Sequence, residues 1–221
     1  YDAITGLYED EKFLEHAEEY LKNARSGQYV IVYQDFSNFK YINEMFGYEV
    51  GDKILREYAE MLPGFTERFI MGSRVFSDNI VSLFNTTDIE TEKMISFAER
   101  CSNTFSDKVQ KEYLGSNVVC VAGLCPFVVD GNDIPLKNII SNANLARKEA
   151  KKPEKSNVVV YDVSMGEALL KEVKYANDME DAFRNREFAV YMQPKVDLRQ
   201  NKIIGAEALI RWVKPNGEII Y

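Results

Sequence analysis

The chain alternates between segments whose apolar residues recur every three or four positions and short runs that are apolar throughout. The first pattern is typical of amphipathic helices, and the second is typical of buried strands. The pattern predicts helices over residues 9–24, 38–62, 90–109, 135–152 and 163–184. It predicts strands over residues 29–33, 68–75, 80–84, 117–128, 158–161, 188–198 and 203–212.

The order of these elements predicts an α+β fold. Between Tyr29 and Leu124 the order is β-α-β-β-α-β, which is typical of ferredoxin-like and polymerase-palm folds, in which helices back one face of an antiparallel sheet. Pro63 and Gly64 predict the end of the long helix, because both residues interrupt helical patterns. The segment Phe76-Ser77-Asp78-Asn79 joins two strand-like runs and predicts a hairpin.

Three consecutive segments are predicted along the chain. Residues 1–162 form the first domain, residues 163–186 form a charged helical linker, and residues 187–221 open a second unit with a pair of strands. The linker contains no run of glycine and serine, so we expect it to be stiff.

Composition narrows the class of partners. The chain of 221 residues carries 27 basic and 35 acidic residues, a formal net charge of −8, which argues against a nucleic-acid polymer but permits a small phosphate ligand. There is no apolar stretch of about 18 residues, so we expect no membrane segment in this chain, although a longer protein could still be anchored elsewhere. The three cysteines lack metal-like spacing and fit a reducing cytoplasm.

Four polar residues are candidates for one site. Asp35 follows the first strand, Asn43 and Asp52 lie on and after the next helix, and Asp78 lies in the hairpin. Carboxylates at adjacent strand ends are the groups that bind hard cations together with substrate phosphates. The alternative is that these residues are helix caps and solvated surface acids.

Two motifs resemble those of GGDEF domains, the diguanylate cyclases. They are Asp2-Ala-Ile-Thr-Gly-Leu7 and Asp35-x-x-x-Phe39-Lys40-x-Ile42-Asn43-Glu44-x-x-Gly47-x-x-x-Gly51-Asp52. The resemblance implies that GTP binds with Mg²⁺ or Mn²⁺, with the roles divided among the following residues. The metal ligands would be Asp35, the backbone carbonyl of Phe36 and Asp78; Asn43 and Asp52 would bind the guanine edge; Lys151 and Lys155 would contact the terminal phosphates, or else belong to a solvated basic run.

The signature hairpin departs from that family's Gly-Gly-Asp/Glu-Glu-Phe. This chain has Phe76-Ser77-Asp78-Asn79-Ile80, so only the central acid, Asp78, is kept. A phenylalanine forced into a left-handed turn costs about 1–2 kcal/mol, and Asn79 removes a negative charge. We therefore expect a reshaped hairpin and a degenerate site that does not make cyclic di-GMP.

The last segment resembles the beginning of EAL phosphodiesterase domains. The similarity lies in Tyr191-Met192-Gln193-Pro194-Lys195-Val196-Asp197-Leu198 and Gly205-Ala206-Glu207-Ala208-Leu209-Ile210-Arg211-Trp212. It implies that Glu207 is a metal ligand, that Arg211 contacts a phosphate of cyclic di-GMP, and that Gln193 lies in the substrate pocket. A barrel of this type needs about 250 residues, so we expect an incomplete, TIM-like start here and a longer protein that hydrolyses cyclic di-GMP.

Three functions remain open from the sequence. The first is a regulatory domain that binds GTP and modulates an attached EAL phosphodiesterase. The second is a structural docking module, such as a homodimerisation domain, with no nucleotide bound. The third is a residual diguanylate cyclase that makes cyclic di-GMP from GTP.

Overall fold

The computed structural model describes residues 1–24, 26–131, 135–152 and 156–220. They form two compact units, Tyr1–Gly166 and Glu167–Tyr221, which are described separately below. The helices are α1 (Asp10–Asn23), α2 (Phe39–Phe46), α3 (Tyr48–Phe65), α4 (Thr91–Glu112), α5 (Leu136–Ala150) and α6 (Val163–Arg184). The strands are β1 (Gly27–Ser37), β2 (Phe69–Phe76), β3 (Asn79–Asn85), β4 (Val119–Val129), β5 (Val158–Val160), β6 (Phe188–Asp197), β7 (Lys202–Val213) and β8 (Ile219–Ile220).

The first unit contains a five-stranded sheet in the order β2-β3-β1-β4-β5. The central strand β1 is antiparallel to both of its neighbours, and β2 is antiparallel to β3. The short strand β5 pairs with β4 in the parallel direction. The predicted α+β class with an antiparallel core is therefore confirmed, and one parallel edge strand makes the sheet mixed.

Helices cover both faces of this sheet, whereas the sequence predicted helices on one face. Every residue of β1 from Tyr29 to Phe36 is buried, and successive side chains of a strand point to opposite faces. Tyr29, Ile31 and Tyr33 pack in a cluster with α1 and α5. On the opposite face, Phe36 packs in a cluster with residues of α2, α3 and α4.

The predicted long helix over 38–62 is two helices in the structure. Gly47 lies between α2 and α3 with φ 88° and ψ 159°, a conformation that glycine adopts without steric cost. The predicted break at Pro63 is also wrong, because α3 continues through Pro63 to Phe65. Phe65 packs against Tyr58 with ring centroids 6.3 Å apart, and this contact favours the continued helix.

Helix α5 lies very close to strand β4. A Cβ atom on Gly123 would lie 2.1 Å from the carbonyl oxygen of Ala143 and 2.1 Å from the backbone nitrogen of Arg147. Real Cβ atoms do not come so close to backbone, so only glycine permits this packing. Because Gly123 pairs with Tyr33 of β1, the same contact fixes Arg147 beside the central strand.

The second unit is a three-stranded antiparallel sheet, β6-β7-β8, with most of α6. The Trp212 ring contacts Tyr175 of α6 and Phe188 of β6, at centroid distances of 5.8 and 5.6 Å. Its Nε1 donates a 2.8 Å hydrogen bond to Glu187 Oε2. Across the described ranges of both units, no helix combines the length and apolar character needed to span a bilayer.

Candidate functional site

Asp35 is the most enclosed of the predicted site residues. It lies inside β1, which continues past the predicted strand end at Tyr33 to Ser37, because pairing with β4 extends to Ser37 opposite Val119. Only 5% of its side chain is exposed. A carboxylate so deeply buried needs charged or hydrogen-bonding partners.

Two cations of α5 are those partners. Arg147 Nη1 lies 2.5 Å from Asp35 Oδ2, and Lys151 Nζ lies 2.6 Å from Asp35 Oδ1. Arg147 makes a hydrogen bond, whereas Oδ1 receives no aligned hydrogen bond and is paired with Lys151 by charge alone. The structure therefore brings the predicted metal ligand Asp35 together with the predicted phosphate ligand Lys151.

Asp78 lies in the hairpin beside the open edge of β1. Pairing between β1 and β3 ends at Gln34 and Ile80, so the strand edge beyond Gln34 is free to face the hairpin turn. Burial raises the pKa of the Asp78 carboxyl, and the negative charge of Asp35 raises it further, against hydrogen bonds from the backbone N–H groups of Asp78 and Phe36. Asp35, Phe36 and Asp78 are thus close neighbours.

The hairpin turn consists of Ser77 and Asp78, because Phe76 and Asn79 pair as the last residues of their strands. The left-handed residue is Ser77, with φ 52°, and Phe76 is not left-handed, so the backbone strain predicted for the phenylalanine does not occur there. The Phe76 side chain is instead 76% exposed. Asn79 Nδ2 donates a 3.1 Å hydrogen bond to the Phe76 carbonyl and closes the turn.

A hydrogen-bonded loop anchors this hairpin. Asp2 Oδ1 accepts hydrogen bonds from the Thr5 backbone and hydroxyl at 2.8 and 2.7 Å. Arg74 joins Asp2 Oδ2 at 3.2 Å and donates through Nε to the Ser77 carbonyl at 2.7 Å. Burial alone would raise the pKa of Asp2, but the hydrogen bonds from Thr5 and the Arg74 charge hold it below its usual value. The opening motif thus supports the hairpin.

Asn43 and Asp52 lie on the two helices that meet at Gly47. Asn43 is in the last turn of α2, and its Oδ1 is buried without a hydrogen-bond partner. A Cβ on Gly51 would lie 2.1 Å from that same oxygen. The Asn43 amide can occupy this position because residue 51 has no side chain. Asp52 follows Gly51 directly in α3 and is partly exposed. A buried acceptor without a hydrogen-bond partner is a suitable place for a donor group of a ligand.

Several predicted residues are not joined to this cluster. Lys155 lies outside the described residues. In the second unit, Gln193 pairs across the strands with Glu207, whose Oε2 lies 3.4 Å from Lys195 Nζ. Arg211 Nη1 donates a 2.9 Å hydrogen bond to the neighbouring Ile210 carbonyl. Gln193 and Glu207 therefore share one face of the β6–β7 hairpin, as cross-strand partners do.

The fit of a divalent cation depends on Asp35. Within the described ranges, no three histidine, cysteine, aspartate or glutamate residues are grouped as metal ligands. Asp35 and Asp78 are two carboxylates, but each oxygen of Asp35 already contacts a cation. The positive charges of Arg147 and Lys151 oppose a further cation at Asp35, so the residues present fit a metal poorly.

An apolar cavity of about 320 Å³ lies away from this cluster. Among its lining residues are Val32 of β1, Leu62 of α3 and Met94 of α4. None of the described site residues predicted from the sequence lines it. The cavity and the acidic cluster are therefore separate features.

Arg147 belongs to the candidate site but was not predicted from the sequence. Four of the buried residues of α5, Ile139, Ala143, Ala146 and Ala150, form an apolar stripe, and Arg147 lies four positions after Ala143, next to that stripe. A charge beside the buried stripe of a helix requires a partner. The spacing of Arg147 from this stripe, together with Lys151 one turn later, could therefore have identified Arg147 from the sequence.

Fold and cluster together define a palm-type α+β domain with acidic side chains at the hairpin end of its sheet and cations on the adjacent helix. The family model of the diguanylate cyclase GGDEF domain matches residues 1–157, and that of the EAL domain matches residues 176–221. The chain therefore belongs to the GGDEF family, with the beginning of an EAL domain following it.

Two curated relatives are similar to this chain over nearly its whole length. The signaling protein YkoW of Bacillus subtilis is 26% identical over 99% of this chain and 27% of its own length. The cyclic di-GMP phosphodiesterase PdeR of Escherichia coli is 25% identical over 99% of this chain and 32% of its own length. The chain thus spans about a quarter to a third of these relatives.

Solved structures show the same fold. The GGDEF domain of DgcB from Caulobacter crescentus, in complex with c-di-GMP, aligns over 72% of this chain and 94% of its own, with a TM-score of 0.58 and 15% identity. The S helix-GGDEF-EAL structure of Vibrio cholerae LapD, bound to c-di-GMP, aligns over 99% of this chain and 50% of its own, with a TM-score of 0.61 and 18% identity.

Proposed function

We propose that residues 1–162 form a regulatory domain that binds GTP without converting it to cyclic di-GMP. The main support for this proposal is the buried Asn43 Oδ1, which lacks a hydrogen-bond partner and occupies the space that a side chain at residue 51 would take. The N2 amino group of guanine is a hydrogen-bond donor, so it suits this acceptor, and the N1 and N2 donors together suit the Asp52 carboxylate. Lys151 and Lys155 supply positive charge for the phosphates.

The hairpin supports binding without catalysis. Asn79 uses its side-chain amide to close the turn with Phe76, so the position of the family's second acid carries no charge. The exposed Phe76 ring adds bulk where the family has a glycine. Stabilisation of developing charge by placed groups is a large part of enzymatic rate enhancement, and this hairpin keeps only Asp78 of the five residues that the family places there.

The regulated partner in this proposal is an EAL phosphodiesterase in the longer protein. Helix α6 is continuous from Val163 to Arg184 and connects the GGDEF segment with the EAL segment. In the complete barrel, Glu207 would hold a metal, Arg211 would bind a phosphate of cyclic di-GMP, and Gln193 would line the pocket. PdeR is named for this activity. The free thiols of all three cysteines fit a cytoplasmic location.

Calorimetric titration of GTP into this chain tests the proposal. We expect saturable binding that is at least tenfold weaker in Asn43→Ala and in Asp52→Ala. Glu60→Ala, which removes an exposed carboxylate from the same helix as Asp52, is the matched control and should bind as the unchanged chain does. Equal binding by all four proteins would place GTP elsewhere and overturn the proposal.

The competing function is a nucleotide-free docking module that forms a homodimer. The exposed Phe76 ring at the hairpin favours it, because large apolar side chains on a surface often mark contact sites. Absence of binding at millimolar GTP together with a dimer in sedimentation would establish this function instead.

A further inference from the structure

The ion pairs around Asp35 bear on how the proposed nucleotide site balances its charge. We propose that Arg147, together with Lys151, takes the place of the divalent cation, so that this domain binds nucleoside triphosphate without a metal. The inference rests on the proposed GTP site and specifies how its phosphate end works. Its main support is that each oxygen of the Asp35 carboxylate contacts a cation, Arg147 at 2.5 Å and Lys151 at 2.6 Å.

The formal charges already balance without a metal. Asp35 and Asp78 contribute two negative charges, and Arg147 and Lys151 contribute two positive charges. Before nucleotide binds, a divalent cation added at Asp35 would leave these four side chains with two excess positive charges within a partly buried region, where like charges repel more strongly than in water. An entering triphosphate would draw Lys151 from Asp35, and Arg147 would continue to neutralise that carboxylate.

Arg147 is held in place independently of Asp35. Its Nε and Nη2 donate hydrogen bonds of 2.9 and 2.7 Å to Asn144 Oδ1, and its guanidinium lies 5.4 Å from the centroid of the Tyr33 ring. Only 12% of the Arg147 side chain is exposed. Its backbone is fixed by the close approach of α5 to Gly123. A metal ion at Oδ2 would therefore leave a fixed, largely buried guanidinium without its anion, which is unfavourable.

Lys151 differs from Arg147 in a way that suits a phosphate ligand. Its side chain is 39% exposed, and its ammonium contacts Asp35 without an aligned hydrogen bond. A flexible four-carbon stem allows an ammonium to follow an entering phosphate. Arg147 would then remain on Asp35 and keep that carboxylate neutralised, which is the role a bound cation would otherwise have.

Two titrations of GTP test the inference, one in excess EDTA and one in millimolar Mg²⁺. We expect dissociation constants that agree within threefold. Binding in Mg²⁺ that falls more than tenfold in EDTA would overturn the inference and leave the GTP site intact. Loss of binding under both conditions would overturn the GTP site and, with it, this inference, so the two failures are distinguishable.

Direct measurement of metal binding supplies a readout without nucleotide. Free Mn²⁺ is followed by electron paramagnetic resonance while it is titrated with the chain. We expect no binding below about 1 mM Mn²⁺ by the unchanged chain and by Lys148→Leu, which removes an exposed cation from the same helix. Arg147→Leu should gain a site at least tenfold stronger. A submillimolar Mn²⁺ site in the unchanged chain would contradict the inference even if the Arg147 variant failed to fold.

Discussion

Among single residues, the proposed GTP site depends on an absent side chain as much as on those present. Asn43 Oδ1 occupies the space where residue 51 would carry a Cβ. Gly51 lies within α3 and has no special backbone angle, so a helix former is sterically compatible with its own backbone. A change at this position should therefore affect GTP binding much more than stability.

Gly51→Ala separates the two effects. Alanine in a helix interior is favoured over glycine by up to about 1 kcal/mol, whereas the new Cβ would lie 3.2 Å from Phe39 Cζ. The two effects oppose each other, so the free energy of unfolding in urea should change by less than about 1 kcal/mol. The new Cβ must displace the Asn43 amide, so GTP affinity should fall at least tenfold in calorimetry. Gly64→Ala, in the same helix with open space around it, is the control. Its free energy of unfolding should change by a similarly small amount, and its GTP affinity should be unchanged. Unimpaired binding by Gly51→Ala would rule out Asn43 as the guanine ligand.

The stability of the first unit should depend on pH through Asp78. Burial and the nearby Asp35 charge raise its pKa above the ordinary 3.8, so the folded chain holds this proton more tightly than the unfolded chain. The protonated Asp78 therefore contributes stability that is fully present below the ordinary pKa of 3.8. That contribution is lost as pH rises through the raised pKa of the folded chain. At neutral pH the ionised carboxyl opposes folding.

Asp78→Asn should accordingly stabilise the domain at pH 7 by about 0.5 kcal/mol, the scale of a partly exposed charge interaction. The gain should vanish below about pH 3, where the Asp78 carboxyl is protonated in both the folded and the unfolded chain. Urea unfolding at the two pH values measures it, with Asp107→Asn, an exposed carboxylate of α4, as the charge control. A gain that is equal at both pH values would show that the effect is not electrostatic.

At the scale of elements, hydrophobic periodicity predicted the order of helices and strands because each element buries one side against the sheet. Periodicity could not reveal the turn at Gly47, because the apolar spacing continues across it. It also missed the pairing of Asp35 with Arg147, which are 112 positions apart. The guanine and phosphate residues became candidates through motif resemblance, whereas their contacts follow from the packing of α2 on α3 and of α5 on β4.

Gly123→Ala tests the packing of α5 on β4. The added Cβ would meet backbone atoms of Ala143 and Arg147 at 2.1 Å, and backbone cannot rotate away as a side chain can. We expect a loss of about 3 kcal/mol, at the upper end for overpacked cores, measured by urea unfolding. Gly205→Ala, a strand glycine with open space, should change stability by less than 1 kcal/mol. A Gly123 variant as stable as this control would mean that α5 does not approach β4 so closely.

At the scale of the whole molecule, the two units differ in how much apolar surface they bury. Among the described residues of Glu167–Tyr221, only Ala182 and Trp212 are buried hydrophobics, whereas the first unit contains three clusters. Apolar burial is the main favourable contribution to folding. The second unit should therefore be much less stable by itself.

The single tryptophan makes this difference measurable. Trp212 is the only tryptophan of the chain and lies in the second unit, so its fluorescence reports on that unit. We expect its emission to shift at a lower urea concentration than the main loss of far-ultraviolet circular dichroism. Coincident transitions would show that the two units unfold together.

The central claim is that the GGDEF domain holds GTP without converting it. Incubation of the chain with GTP, removal of free nucleotide and chromatography of what remains bound test this claim directly, with Asn43→Ala as the control. We expect intact guanosine triphosphate bound near one equivalent, no cyclic di-GMP, and little nucleotide on the variant. Formation of cyclic di-GMP, or the absence of any retained nucleotide at concentrations that saturate binding, would contradict it.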